Sequence, residues 1–417
     1  MKGRLLLISG AKGVEAAALT VNGMLEDLII AAPGGAPETG ETWGAKVIRK
    51  SGKAAGAFLD LGQGHHGFLR DAKAVREGAI VTVQIASQPE AGKALPVTQR
   101  LLFKNRLMIH TPGAPGINVS RQIRDAEERA ALTDAVETAC RPYTDAWRAA
   151  GEALSPAPPD ETAAARRHRA MVVFGHLIAT GGFIIRSAAE GAPEAEIARA
   201  LEDTLTQRLA TMPGDGEGAG DGDGRIAPYL RLRPWQTALR DWADPIPEAV
   251  IAHERDAAEI EAAAGSGAVD GAILGRLERG RADPFETHGI WDHIARLSSP
   301  TVALPGGGSM VIEATTALVA IDVNTGGDFA ADAGIRANVE AVRALPRQLR
   351  LRGLGGQIVV DFAPMAKKDR LRLEDALKAA LKRDPIETVS HGWTTMGLYE
   401  LQRKRERRAL VLPSFLR

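Results

Sequence analysis

The sequence predicts a multidomain α/β protein, and three observations carry that expectation. At 417 residues, a prior of roughly 150 residues per domain gives about two to four domains. Short β runs punctuated by glycine over 42–103 give way to apolar residues at helical spacing over 122–210. Residues 301–417 then alternate strand and helix patterns, the signature of a sheet covered by helices.

Composition narrows the class. Apolar residues make up 45% and charged residues 25% of the chain, ordinary for a globular protein and far from a disordered one. The 52 basic and 52 acidic residues cancel, which excludes a uniformly basic coat but allows local basic patches. The single cysteine, Cys140, can form neither an internal disulfide nor a thiolate metal cluster. The opening MKGRLLLISGAKG is too short in apolar residues for a signal peptide. No run approaches the roughly 18 apolar residues of a membrane span. A cytoplasmic location is therefore expected.

In chain order, RLLLIS at 4–9 and residues 17–22 read as a strand pair, and a Gly/Pro/Ala loop follows at 32–41. AKVIRK, GAFLDLG, GFLRD and AIVTVQIAS within 42–103 suggest a small barrel or sandwich. Residues 124–150 and 193–210 read as helices. SPAPPDE at 155–161 and PGDGEGAGDGDG at 213–224 read as linkers. The second lacks the terminal Glu of a calcium loop. Residues 226–298 read as partly helical with a basic, Trp-bearing segment, RLRPWQTALRDW.

The chemistry concentrates near the C-terminus. SMVIEA and ALVAIDV are apolar runs joined at Thr315 and Thr316, and the second ends at Asp322-Val323-Asn324. Alternation along a strand puts Asp322 and Asn324 on one face. QIVV leads to Asp361, and the intervening segment carries Ile335, Val339, Val342, Leu345 and Leu349 at helical spacing. Strand–helix–strand with a right-handed crossover lays the two strands parallel. Both aspartates would then lie at C-terminal strand ends, where α/β sheets bind ligands. Two carboxylates suit Mg²⁺, with Mn²⁺ an acceptable substitute. An aspartate ending a strand is also an ordinary turn former, and the pattern alone leaves both readings open. His65 and His66, adjacent on a strand, would point to opposite faces and are not read as ligands. No Gly-Lys-Ser/Thr phosphate loop and no Gly-x-Ser-x-Gly elbow is present.

Three strings, AIDVNTG at 320–326, RQLRLRGLGGQIVVDF at 347–362 and GAFLDLGQGHHGFL at 56–69, resemble the ribonuclease E/G family in the family's order. The resemblance implies an RNase H-like subdomain (1–31 and 226–298), an inserted OB-fold RNA-binding barrel (32–108), a 5′-sensor region with a flexible linker (109–225) and a deoxyribonuclease-I-like catalytic subdomain (299–417). It implies Mg²⁺ held by Asp322 and Asp361 and oriented by Asn324. The reaction would be endonucleolytic hydrolysis of single-stranded RNA to 5′-phosphate and 3′-hydroxyl ends, in rRNA processing and mRNA decay. Phe58, Phe68 and Lys93 match RNA contacts, although on sequence alone both phenylalanines read as core. Arg186 and Ser187 match a 5′-phosphate pocket, with Ser187 where the family usually has threonine.

The sequence also departs from the family. Thr395 stands where the family has an arginine supporting the 5′-phosphate pocket. The loop after Asn324 is short and lacks the usual Glu-Glu pair. No cysteine follows Cys140, so no zinc is expected; that speaks against a zinc-linked tetramer and leaves a homodimer needing another interface. The run RKRERR at 403–408 reads either as a solvated helix end or as an RNA backbone contact. A non-catalytic RNA-binding protein and a metal-dependent phosphatase or DNase are the competing functions.

Overall fold

The computed structural model describes residues 3–52, 56–90, 92–154, 162–212, 226–242, 247–265 and 271–416. The linkers expected at 155–161 and 213–224 lie outside the described residues. Among the described residues the chain is a mixed α/β protein with four sheets. No described helix is long and apolar enough to cross a membrane.

The first sheet joins distant parts of the sequence. Arg4–Ser9 pairs antiparallel with Ala16–Val21 and parallel with Ala249–His253, which continues in parallel to Leu277–Gly280. Leu6, Ile8, Val250 and Ala252 point to one face, against Trp235, Leu239 and Trp242. A third N-terminal strand, Met24–Ile30, follows the Asn22-Gly23 turn. Both turn residues have positive φ, the conformation that a tight hairpin requires and that Asn-Gly supplies.

Residues 42–98 close into a five-stranded barrel. Thr42–Ser51 pairs with both Gly56–Gly62 and Ile80–Ile85, and His65–Leu69 and Leu95–Thr98 complete the ring. Trp43, Leu59, Leu61, Val83 and Ile85 fill it. Closure leaves no free sheet edge, which is why such short strands suffice.

Between 103 and 209 a further sheet forms, and only its strand Gly181–Ile185 departs from the helical reading of 122–210. Met108–Pro112, Gly116–Val119 and Gly181–Ile185 form a sheet with Phe103–Lys104. Helices Ala126–Ala149, Ala163–Ala179 and Glu194–Leu209 cover it. Gly181–Ile185 is a short apolar run between two long helices and is too brief to register as a strand on its own. Cys140 is buried in this core, and burial pushes its thiol up to about 12.

The last sheet runs in the order Thr301–Ala303, Ser309–Ala314, Val319–Asn324, Gly356–Asp361, Tyr399–Arg403, Thr388–Trp393. Helices Ala333–Leu351 and Arg370–Arg383 pack on one face only. There Ile321, Val323, Ile358, Val360 and Leu401 meet Val342, Leu345, Leu349, Leu373 and Leu377. The other face of the central strands is open.

The basic run 403–408 is not a helix. It ends a strand and continues as extended chain, and its arginines are spent on acids from elsewhere. Arg405 pairs with Glu90, Arg407 with Asp27 and Arg408 with Glu38. Arg403 pairs with Asp384 at 3.0 Å, and both side chains are fully buried. Arg350 joins Asp384 to Glu26 at 2.6 Å and Asp27 at 3.4 Å. This buried cluster ties helix Ala333–Leu351 and strand Tyr399–Arg403 of the last sheet to the N-terminal sheet.

Removing one partner from a buried ion cluster leaves an uncompensated charge. Asp384→Asn is therefore expected to lower unfolding free energy by about 3 kcal/mol, read by denaturant titration; a loss no larger than that of a surface substitution would contradict the role assigned to the cluster. A second expectation concerns pH. His110 is fully buried beside Phe103 and Phe183, with Nδ1 3.1 Å from the Gly182 carbonyl. Burial lowers its pKa to about 4. Between about pH 6.5 and 4 the unfolded chain then binds more protons at this residue. Its contribution is complete above 6.5 and is lost as pH falls, amounting to about 3 kcal/mol. His110→Gln should flatten stability against pH across that window; parallel curves for the two proteins would exclude it.

Candidate active site

Strand alternation builds the site. In Val319–Asn324, Ile321 and Val323 are buried while Asp322 and Asn324 are exposed. In Gly356–Asp361, Ile358 and Val360 are buried while Asp361 is exposed. The strands are parallel, and Asp322 stands directly opposite Asp361. Neighbouring strands lie about 4.8 Å apart, so the two carboxylates share one sheet face at one sheet edge. Asn324 Nδ2 donates to Asp322 Oδ2 at 2.7 Å, fixing one carboxylate from its own strand.

The turn beside this edge must be glycine. A Cβ on Gly308 would lie 2.5 Å from the Asn324 carbonyl oxygen. The glycine turn at 306–308 can therefore lie flat against the strand end that presents Asn324.

One residue that sequence reasoning missed positions the second carboxylate. Asn338, fully buried on helix Ala333–Leu351, donates Nδ2–H to the Ala363 carbonyl at 2.9 Å. Its Oδ1 accepts the Ala363 N–H at 2.9 Å. This two-way amide pairing pins the backbone two residues beyond Asp361. The available signal was a single asparagine on an otherwise apolar helix face.

The sequence-derived RNA contacts fall elsewhere. Phe58 and Phe68 are directly opposite on adjacent barrel strands, with ring centroids 5.2 Å apart. Each is half-buried and alternates with inward Ala57, Leu59 and Leu69, so both lie on the outside of the barrel rather than in its core. The Arg49 guanidinium sits 4.9 Å from the Phe58 ring. Lys93 is exposed and paired with Glu90, and its ammonium holds the Glu90 carboxyl below the usual range. His65 and His66 sit on the strand His65–Leu69.

The barrel docks on the last sheet through Gln88 N–H to the Arg405 carbonyl at 2.7 Å and Glu90 to Arg405. Those contacts lie next to Gly356, the end of the strand opposite Asp361. The structure thus brings Asp322, Asn324 and Asp361 together, and joins the barrel to the far edge of the same sheet.

Arg186 ends the strand Gly181–Ile185, and Ser187 begins the short helical turn after it. Arg186 Nη1 donates to the carbonyls of Asn105 and Arg240. Thr395 is exposed at the tip of the hairpin between Thr388–Trp393 and Tyr399–Arg403.

A family-wide profile described as the ribonuclease E/G family matches residues 161–406, which include both carboxylate strands and the helix between them. The chain belongs to the ribonuclease E/G family. It is 30% identical to ribonuclease G of Escherichia coli K12 over 343 residues, covering 81% of this chain and 62% of that protein. It is 27% identical to ribonuclease G of Haemophilus influenzae over 94% of this chain and 78% of the relative. With ribonuclease E of E. coli K12 it shares 27% identity over 96% of this chain and 37% of the relative. The chain thus spans a little over three-fifths of the E. coli ribonuclease G that it matches.

Asn338→Ala would strand a buried N–H and carbonyl, so a stability loss of about 1–3 kcal/mol is expected. Chemical denaturation measures it, and a change too small to resolve would show that the pairing does not hold the strand end.

Proposed function

We propose that this family member is a Mg²⁺-dependent endoribonuclease. It would hydrolyse single-stranded RNA to 5′-phosphate and 3′-hydroxyl products, in RNA processing and decay. The observation that supports this most is the in-register Asp322–Asp361 pair at an open sheet edge, with Asn324 bonded to Asp322. The donor set fits the ion. Two hard carboxylate oxygens on one face leave the remaining positions to water and substrate, as Mg²⁺ prefers; Mn²⁺ would fit equally. Among the described residues no group of three or more His, Cys, Asp or Glu could hold a metal, so the carboxylate pair would act alone with solvent. When bound, Mg²⁺ supplies Lewis acidity to the phosphoryl group and makes water a better nucleophile.

The chain's own residues do the rest. Asp322 and Asp361 present negative charge toward the reacting phosphodiester's counter-ion. Asn324 holds Asp322 in one orientation, and Asn338 holds the backbone after Asp361. Phe58 and Phe68 offer an aromatic pair on the barrel surface suited to unstacked bases, and Lys93 would add an exposed cation on the same barrel. In this reading the N-terminal sheet is the RNase H-like part, the closed barrel the OB-fold and the last sheet the deoxyribonuclease-I-like part. Arg186 and Ser187 would face a 5′-phosphate. Arg186 also donates to two carbonyls, which anchor its guanidinium.

The test is cleavage of a short, 5′-monophosphorylated, A/U-rich single-stranded RNA with Mg²⁺, with EDTA, and with Asp322→Asn or Asp361→Asn. Each variant should cut about 10²–10³-fold more slowly while retaining RNA binding. Cutting by either variant at the unaltered rate sinks the site assignment. DNA of the same sequence should resist cleavage if a 2′-hydroxyl contact selects the substrate.

A further inference from the structure

The three most exposed large apolar side chains among the described residues are Phe329 (94%), Met396 (85%) and Leu371 (65%). All three lie at the carboxylate edge of the last sheet. Phe329 is in the loop 325–332, which leaves the strand end at Asn324 and enters helix Ala333–Leu351. Met396 is at the tip of the hairpin whose strand Tyr399–Arg403 places Tyr399 opposite Val360, next to Asp361. Leu371 is in the first turn of helix Arg370–Arg383. That turn stands at this edge because Trp393, the last residue of strand Thr388–Trp393, meets both Glu374 and Arg370.

A lone surface apolar residue needs no explanation. Phe329 differs in how it is held. Asp328 Oδ1 accepts the Ala330 N–H at 2.9 Å, bridging the residue between them, and Asp328 Oδ2 pairs with Arg336. Arg336 also reaches Asp332 at 3.4 Å. The Ala330 N–H, and then Arg336, hold the Asp328 carboxyl below the usual range, so this clasp is closed at neutral pH. The backbone on both sides of Phe329 is therefore tied down while its ring stands in water. Lys367 and Lys368 are exposed on the segment that leads from Asp361 to Leu371.

We propose that Phe329 is a base-stacking residue of the substrate site. Its ring takes the face of a nucleobase beside the scissile phosphodiester at the Asp322–Asp361 site. Met396 forms an apolar wall on the other side, and Lys367 and Lys368 face the flanking phosphates. This rests on the RNA-cleaving reading above and adds a specificity determinant to the same site. The chemistry favours single strands, since a base in a duplex has both faces covered by its neighbours. It also favours tolerance of sequence, because phenylalanine has no polar group to read a base edge. Stacking of this kind is made before the chemical step and stays through it, so its loss raises KM and spares kcat.

The experiment uses Phe329→Ala and Phe329→Tyr in the full chain. One arm measures kcat and KM on single-stranded RNA. The other measures the fluorescence of 2-aminopurine placed on either side of the cleavage point, in the slow-cutting Asp322→Asn background. Phe329→Ala should raise KM about tenfold with kcat little changed, and Phe329→Tyr should restore it. Quenching of 2-aminopurine on binding should occur with Phe329 or Tyr and be lost with Ala. Unchanged KM and unchanged quenching in Phe329→Ala, with the unaltered protein cutting RNA normally, would overturn the proposal and leave the nuclease intact. So would an unchanged KM accompanied by a shift in oligomeric state by light scattering, since Phe329 would then serve contacts between copies. If the unaltered protein cuts no RNA yet quenches 2-aminopurine only when Phe329 is present, the stacking role stands and the nuclease reading fails.

Discussion

The buried charge cluster at Asp27, Asp384, Arg350, Arg403 and Arg407 constrains everything else. Its members come from the N-terminal sheet, helix Ala333–Leu351, the end of helix Arg370–Arg383, the last strand and the extended tail. Each ion loses hydration on burial, and the opposite charges around it compensate that loss. The cluster therefore forms only when all these segments are in register. That makes it a poor source of raw stability and an effective device for orientation. It fixes the tail, and the tail in turn carries the barrel through Arg405 and the loop leading into it through Arg408.

The carboxylate site needs that rigidity less than it needs flatness. Two aspartates can share a face because their strands are parallel, in register and uncovered on that side. The helices supply the buried side, where Val342 and Leu349 are fully enclosed. The open side is left to solvent and ligand. Fine adjustment falls to two asparagines, one beside Asp322 on the surface and one beneath the segment after Asp361. The same amide group serves both places because it can donate and accept at once.

What the sequence revealed follows from where the physics is local. Apolar runs such as LLLI, ALVAI and QIVV form strands by their own composition, and the acids at their ends could be placed on one face by counting. Phe58 alternates with inward Ala57, Leu59 and Leu61, a local pattern that reading the ring as core passed over. Nonlocal compensation was invisible. Met24–Ile30 contains Glu26 and Asp27, which hide its strand pattern; Asp27 is buried because Arg407, far along the chain, neutralises it. The run at 403–408 read as free cations for the same reason in reverse. Asn338 broke an apolar helix face, and only the three-dimensional neighbour Ala363 explains it.

The first sheet has a consequence for synthesis. Arg4–Ser9 leaves the ribosome more than two hundred residues before its parallel neighbour Ala249–His253. At about 5–20 residues per second that interval is on the order of 10–50 s. For that time one side of an almost wholly apolar strand lacks its partner, a template for wrong pairing. Meanwhile the barrel and the helical region, built from contiguous sequence, can complete. Nascent chains of this protein should therefore carry folded middle modules around an unfinished frame, and a chaperone that shields the N-terminal hairpin would act on the step most exposed to error.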